Sequence, residues 1–204
     1  MAAEEQRASP GWEAMYQHQA VETMPWFYPE LDDDLQQALD QLDLRHGTAL
    51  DLGTGPGTQA MQLARCGFDV TAIDLAESAI RLARENAQVQ GLAINWQQDD
   101  ILSPRLTHQF DLIFDRGCFH VLPPERRQDY VNTVAGLLKP SGYFFLKCFS
   151  HLQPGTQGPN RFTPDQIQEL FARRLQLRSI TETVYQGTLD PLPRALFCVM
   201  RREG

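Results

Sequence analysis

Short apolar runs alternate with stretches of helical period along most of this chain, and the alternation begins near position 48. Positions 1–46 are polar and helical, interrupted by Trp12, Trp26, Phe27 and Tyr28. The run over 48–52 is short, apolar and followed by glycines, which predicts a strand. Positions 58–66 predict a helix that stops at Gly67. A second strand is predicted over 68–74, then a helix over 78–90 with Ile80, Ala83 and Ala87 on one face. Strands follow at 93–97 and 110–114, and a helix at 124–138. Pro140-Ser141-Gly142 turns the chain into a strand at 143–148. Thr163-Pro164 pairs a cap with a first-turn proline and opens a helix to about 174. The last strands are predicted at 177–185 and 195–201, closing the sheet with an antiparallel strand. Strands and helices in alternation predict an α/β fold, a doubly wound and mostly parallel sheet with helices on both faces. Positions 1–46 are expected to lie over the carboxyl edge as a cover on the domain at 47–204. In such sheets ligands bind where the strands end.

The informative loop is Asp51-Leu52-Gly53-Thr54-Gly55-Pro56-Gly57, between a predicted strand and a predicted helix. Glycines let the chain turn sharply and let a ligand approach the backbone. Dinucleotide loops space their glycines G-x-G-x-x-G and aim amide N–H groups at a pyrophosphate. Here the spacing is G-x-G-x-G and an acid, Asp51, ends the strand. An acid there suits a cofactor with cationic groups and no phosphate, and S-adenosyl-L-methionine has a sulfonium and an ammonium. Asp74 ends the next strand, where a carboxylate can accept from both hydroxyls of a ribose. Asp99-Asp100-Ile101 follows the third strand, offering an acceptor for an adenine amino group and an apolar cover for its ring. Any one of these acids taken singly reads better as a loop cap or turn residue. Three acidic strand ends behind a glycine loop favour a nucleoside site.

Composition narrows the partners. The net charge is -8, from 18 Lys+Arg against 26 Asp+Glu, which disfavours nucleic acid. No apolar stretch is long enough for a bilayer, and the first residues form no apolar leader, so a cytoplasmic chain without a membrane partner is expected. The 4 cysteines show no C-x-x-C spacing, and His18, His46, His108 and His151 show no metal-ligand spacing. No metal site is expected. Asp32-Asp33-Asp34 reads as a solvated helix start that complements the helix dipole.

The loop at 51–57 and Asp74 resemble the first two motifs of class I S-adenosylmethionine-dependent methyltransferases, a resemblance that extends over 48–201. It implies a Rossmann-like sheet of about seven strands and S-adenosyl-L-homocysteine as product. The segment from Phe110 to Tyr130 carries Asp115-Arg116 at its strand end and Pro124-Glu125-Arg126-Arg127 beyond. It resembles the thiopurine methyltransferase family and its relatives acting on thiols, halides and tellurite. Gly158-Pro159-Asn160-Arg161-Phe162 resembles that family's loop over the substrate, and Trp12 and Pro25-Trp26 its aromatic cover. Cys118, His120 and Asn160-Arg161 depart from the family pattern.

On this resemblance the cofactor is expected to meet Trp12, Trp26, Asp51, Leu52, Gly53, Gly55, Gly57, Asp74, Leu75, Asp99, Asp100, Ile101 and Asp115. Arg116 and His120 are the candidate catalytic residues. Arg116 would lower a thiol's pKa or hold an anion. Its competing reading is an ion pair with Asp115 or Asp51. His120 would take a proton from a harder nucleophile, and its competing reading is a satisfied loop histidine. Cys118 reads as a soft contact or as a small buried hydrophobe. The 149–162 loop would act as a lid. The expected reaction is methyl transfer to a small soft acceptor by a monomeric enzyme. A small amine, a carboxylate or a protein as acceptor, or a cofactor-binding module without catalysis, stays open.

Overall fold

A computed structural model describes residues 11–204, so the first 10 residues of the expected cover lie outside the described residues. The sheet is built from β1 (Gly47–Leu52), β2 (Phe68–Asp74), β3 (Asn95–Gln98), β4 (Phe110–Arg116), β5 (Leu138–Ser150), β6 (Arg161–Phe162), β7 (Gln176–Val184) and β8 (Arg194–Arg201). Their order is β3-β2-β1-β4-β5-β8-β7, with β6 beside the end of β5. The β1, β2, β3, β4 and β5 pairings are parallel, whereas β8 runs antiparallel to β5 and β7. Chain order reverses between β1 and β4, the crevice where ligands bind in open α/β sheets.

Burial on both faces explains the continuous apolar runs of the central strands. Leu50, Leu52, Ile113, Phe144 and Leu146 face α5 (Arg127–Leu137) and α6 (Pro164–Phe171), where Tyr130, Val134, Ile167 and Phe171 pack. Their neighbours Ala49, Leu112, Phe114 and Phe145 face α2 (Asp33–Gln41), α3 (Thr58–Arg65) and α4 (Glu77–Val89). A capping box at Thr163 and Gln166 opens α6, as Thr163-Pro164 predicted. Among the described residues no helix is long and apolar enough to cross a membrane.

Three elements differ from expectation. The helix expected from 124 starts as a 3-10 turn, Pro124–Arg126, and becomes α-helical at Arg127. The bend at Pro140-Ser141-Gly142 lies within β5, and the pairing with β4 jumps there from Phe110↔Leu138 to Leu112↔Tyr143. β6 raises the strand number to 8, because two residues carry no periodic signal of their own.

Among the points that tie down the described part of the N-terminal segment, two are made by acidic side chains. The first is α1 (Trp12–His18), whose Glu13 accepts from the backbone N–H and hydroxyl of Ser78 in the first turn of α4. The second is the start of α2, where Asp32-Asp33-Asp34 opens the helix as expected and Asp33 is exposed, but the reading as solvated fails for Asp32. Asp32 caps α2 by accepting from the N–H groups of Asp34 and Leu35, yet its carboxylate is 0% exposed. It pairs with Lys147 Nζ at 2.8 Å and Arg116 Nε at 2.8 Å. Lys147, also 0% exposed, adds Asp34 at 2.7 Å and Gln186 Oε1 at 2.7 Å. Buried charge is tolerated when paired and hydrogen-bonded on every side, and this cluster meets that condition. Burial pushes the Asp32 carboxyl up, but Lys147 and Arg116 more than offset it and hold it below the usual carboxylate range.

Candidate active site

The glycine loop joins β1 to α3 through residues with positive φ at Gly53, Gly55 and Gly57. Each glycine also permits one close approach. A Cβ on Gly53 would lie 3.2 Å from the Cys118 Cβ, and one on Gly55 would lie 2.6 Å from the Tyr16 hydroxyl. A Cβ on Gly57 would lie 2.6 Å from the Trp96 ring and 2.8 Å from the Ala83 Cβ. Gly57, expected at the cofactor, therefore serves the packing of α3 against α4 and β3. Leu52 is also corrected, since its side chain is buried in the core and only its backbone borders the loop.

The acids differ in what they have left to offer. Asp74 accepts from the N–H groups of Gly55 at 2.8 Å and Ala76 at 2.9 Å, which pins the glycine loop to the end of β2. Asp51 accepts from the Thr54 hydroxyl at 2.5 Å. Neither is ion-paired to a cationic side chain among the described residues. Burial pushes the Asp51 carboxyl up to about 7, the Thr54 hydroxyl pulls it down, and Asp115 and Asp74 raise it further. Burial likewise raises Asp74, against the pull of the Ala76 and Gly55 amides. Two buried carboxylates without a protein cation fit a ligand that carries positive charge. The sulfonium and ammonium of S-adenosylmethionine meet that requirement. Leu75, beside Asp74, is 56% exposed and presents apolar surface at the same strand end.

The remaining expected contacts divide. Asp99 is engaged locally, accepting from the Arg105 N–H at 2.9 Å and pairing with its guanidinium at 3.4 Å. Ile101 packs into the core instead of standing free to cover a ring. Asp100 is exposed and gives only Oδ1 to the Leu102 N–H, so of this trio it is the acid still open to a ligand. Asp115 is corrected outright. It is 0% exposed, and its oxygens accept from the N–H groups of Gly117, Cys118 and Phe119 and from the Tyr130 hydroxyl. Its work is to shape the turn after β4. Burial raises its carboxyl to about 6, against the pull of Tyr130 and these amides. Trp12 and Trp26 stack edge to face at 5.9 Å. Tyr16, one helical turn after Trp12, reaches the loop at Gly55. The sequence reading missed it, although the i, i+4 spacing from Trp12 was visible.

Both candidate catalytic side chains are already engaged. The Arg116 guanidinium is bound to Asp32 and to the carbonyls of Trp26 at 3.0 Å and Gln186 at 2.6 Å. Its carboxylate partner is thus Asp32, and neither Asp115 nor Asp51. Arg116 fastens the cover to β4. The His120 Nδ1 accepts from the backbone N–H of Phe149 at 3.2 Å. Burial, with Arg116 nearby, pushes the imidazole down to about 3. It is neutral at physiological pH, and its one basic nitrogen is occupied. The expected role as proton acceptor is corrected on that ground. Burial pushes the Cys118 thiol far up, so it stays protonated and packs as an apolar group.

The 151–160 segment is stapled rather than open. Arg161 donates to the carbonyls of Gln153, Pro154 and Gln157, and the Asn160 side chain donates to those of His120 and Leu122. Asn160-Arg161 departs from the family pattern: Asn160 ties this loop to the turn at His120, and Arg161 ties the loop to itself.

Comparison with known proteins agrees with this geometry. The profile of a methyltransferase domain family matches residues 49–142. The 2-heptyl-1-hydroxyquinolin-4(1H)-one methyltransferase of Mycobacteroides abscessus is 25% identical over 79% of this chain and 74% of its own length. An uncharacterized methyltransferase of Schizosaccharomyces pombe, C1348.04, is 31% identical over 55% of this chain and 78% of its own length. Among solved structures, one described by the conversion of a disulfide bond into a thioacetal group during echinomycin biosynthesis shares the fold. It aligns with a TM-score of 0.81 and 24% identity, covering 94% of this chain and 91% of that one. With its glycine loop, its unpaired strand-end acids and these relatives, the chain belongs to the class I S-adenosylmethionine-dependent methyltransferases.

Proposed function

We propose that the enzyme methylates a small, soft nucleophile that arrives already anionic, such as a thiolate, a chalcogen oxyanion or a halide. One observation carries this reading. Among the described residues, four side chains near the end of β4, His120, Tyr185, Cys118 and Arg116, offer no free proton acceptor. His120 is neutral with Nδ1 occupied. Tyr185 donates its hydroxyl to the Lys147 carbonyl at 2.5 Å, and burial raises its pKa far above the ordinary value. Cys118 is a half-buried thiol whose pKa burial raises, and the Arg116 guanidinium is no proton acceptor. Among the described residues these four side chains offer an acceptor no free general base, whereas a soft anion needs none.

When bound, S-adenosylmethionine supplies a methyl group on a positive sulfur, open to in-line displacement. The protein contributes position and field. Asp51 would face the cationic groups of the ligand and Asp74 its two ribose hydroxyls, with the Gly55 amide holding Asp74 in place. Tyr16, Trp12 and Trp26 close the site from above, and the aromatic faces suit a cation. Gly117 and His120 border the acceptor side.

The test is a methyl-transfer screen with purified protein over thiols, halides, chalcogen oxyanions, acidic hydroxy-heteroaromatics, small amines and carboxylates. Transfer to soft anions at a rate that follows the acceptor's own ionisation is expected. Transfer confined to amines or to a macromolecule would overturn the acceptor class and leave the cofactor untouched. The acidic hydroxy-heteroaromatics belong in the screen because of the Mycobacteroides abscessus relative's named acceptor.

A further inference from the structure

One polar atom near the crevice has no use in the account above. His120 is 6% exposed, and no group among the described residues accepts from its Nε2, which lies on the part of the ring that solvent reaches. The other ring nitrogen settles what Nε2 carries. A backbone N–H can only donate, so Nδ1, which meets the Phe149 N–H, must present a lone pair. In a neutral imidazole the single proton then resides on Nε2. Tyr185 does not disturb this, since its hydroxyl is spent on the Lys147 carbonyl and stands 3.5 Å from Nδ1.

The direction of that N–H follows from its neighbours. A Cβ built on Gly117 would lie 3.2 Å from Nε2 and 3.9 Å from the Tyr185 hydroxyl. Gly117 adjoins Cys118, whose Cβ is 3.2 Å from the Cβ position of Gly53. A path of small groups thus leads from the glycine loop to the His120 edge. The ring is held rigidly, edge on to Phe149 at 5.1 Å and tilted on Tyr185 at 5.7 Å. The Asn160 amides clamp the His120 carbonyl at 2.9 Å. Arg116 adds positive field from β4, and lies over the Tyr185 ring at 5.4 Å. A rigid N–H at an edge that solvent can reach is suited to a ligand.

We infer that His120 is a specificity-determining residue whose Nε2–H donates a hydrogen bond to an anionic acceptor, selecting soft anions such as thiolates. This rests on the acceptor class proposed above. Donation from Nε2 is the reverse of a proton-accepting histidine, and it makes an amine a poor acceptor, because an amine's lone pair would be held by that bond instead of attacking.

The experiment uses the full chain in complex with S-adenosylhomocysteine, so that no transfer occurs, and thiophenolate as the probe. Nitrogen-15 NMR of His120 should show a neutral ring with the proton on Nε2 from pH 6 to 8. Thiophenolate should shift that Nε2–H resonance. His120→Asn keeps an acceptor for the Phe149 N–H but loses the distant donor, and should weaken thiophenolate binding about 10-fold or more. His120→Gln places an amide N–H near the Nε2 position and should recover most of that loss. S-adenosylhomocysteine affinity should be the same in all three proteins. A proton on Nδ1, a protonated ring at pH 6, or unchanged thiophenolate affinity in His120→Asn would overturn the inference. An Nε2–H that responds to thiophenolate, in a protein that transfers methyl only to amines, would leave this anion contact standing and fail the proposed acceptor class.

Discussion

Asp51→Asn should make the cofactor-free protein more stable at pH 8 while weakening its hold on S-adenosylmethionine. The Asp51 carboxyl ionises at about 7 in the folded chain, against ~3.9 for the unfolded side chain. The native state therefore binds this proton more tightly than the unfolded state does. Stability contributed by the group is complete below pH ~4 and is lost as pH rises through about 7. The gap of roughly 3 units corresponds to about 4 kcal/mol of destabilisation at pH 8. Asparagine carries no charge at any pH and removes that burden. It also offers one acceptor oxygen where the carboxylate offers two, to the Thr54 hydroxyl and the Ala60 N–H. That loss returns about 1–2 kcal/mol, leaving a net gain of about 2–3 kcal/mol at pH 8 and a net change near zero at pH 5, where ionisation of the unfolded side chain alone costs the native state about 1.5 kcal/mol. Urea denaturation without cofactor at both pH values measures the difference. Calorimetry should show cofactor affinity down at least ~10-fold in the variant, as for a lost charge-assisted contact. In the wild type, affinity should rise between pH 6 and 8, because the ligand's cation needs the ionised carboxylate. Equal destabilisation at both pH values would refute the reasoning.

Asp32→Ala strips the cap of α2 and a carboxylate from Lys147 and Arg116, so a loss of about 3–5 kcal/mol is expected, with Tm down by roughly 6–20 °C. A loss under about 1 kcal/mol would show the cluster to be replaceable. Because Asp32 is held below its ordinary value, its stabilisation is present above pH ~4 and fades as acid titrates it, so the variant and wild type should converge at low pH. Asp74→Ala should cost about 1.5–3 kcal/mol of cofactor binding by calorimetry; unchanged affinity would remove Asp74 from the site. Gly57→Ala should destabilise the fold by about 2–4 kcal/mol in chemical denaturation, since φ there is 82° and the added methyl meets Trp96 at 2.6 Å. A neutral result would mean that α3 can shift away from α4.

Local pattern determined much of this protein. Apolar runs bounded by glycine and proline marked β1, β2, β4 and β8 within one or two residues, because a strand buried on both faces has no freedom to be polar. Thr163-Pro164 announced α6, since a cap and its first turn are neighbours along the chain. The glycine loop with acids at the ends of β1 and β2 identified the ligand class for the same reason, each acid lying a fixed step from a strand that periodicity locates. Tertiary structure decided what depends on distant partners. Asp32 reads as solvated until Lys147 and Arg116, 115 and 84 residues away, arrive beside it. Asp115 reads as a ligand until three amides and Tyr130 consume its oxygens. Gly57 reads as a cofactor contact until Trp96 and Ala83 occupy the space beside it. His120 reads as a base until the Phe149 amide, from another strand, fixes its proton on the far nitrogen. A titratable group's chemistry is set by burial and by the groups that share its hydrogen bonds, and neither is a property of its neighbours in sequence.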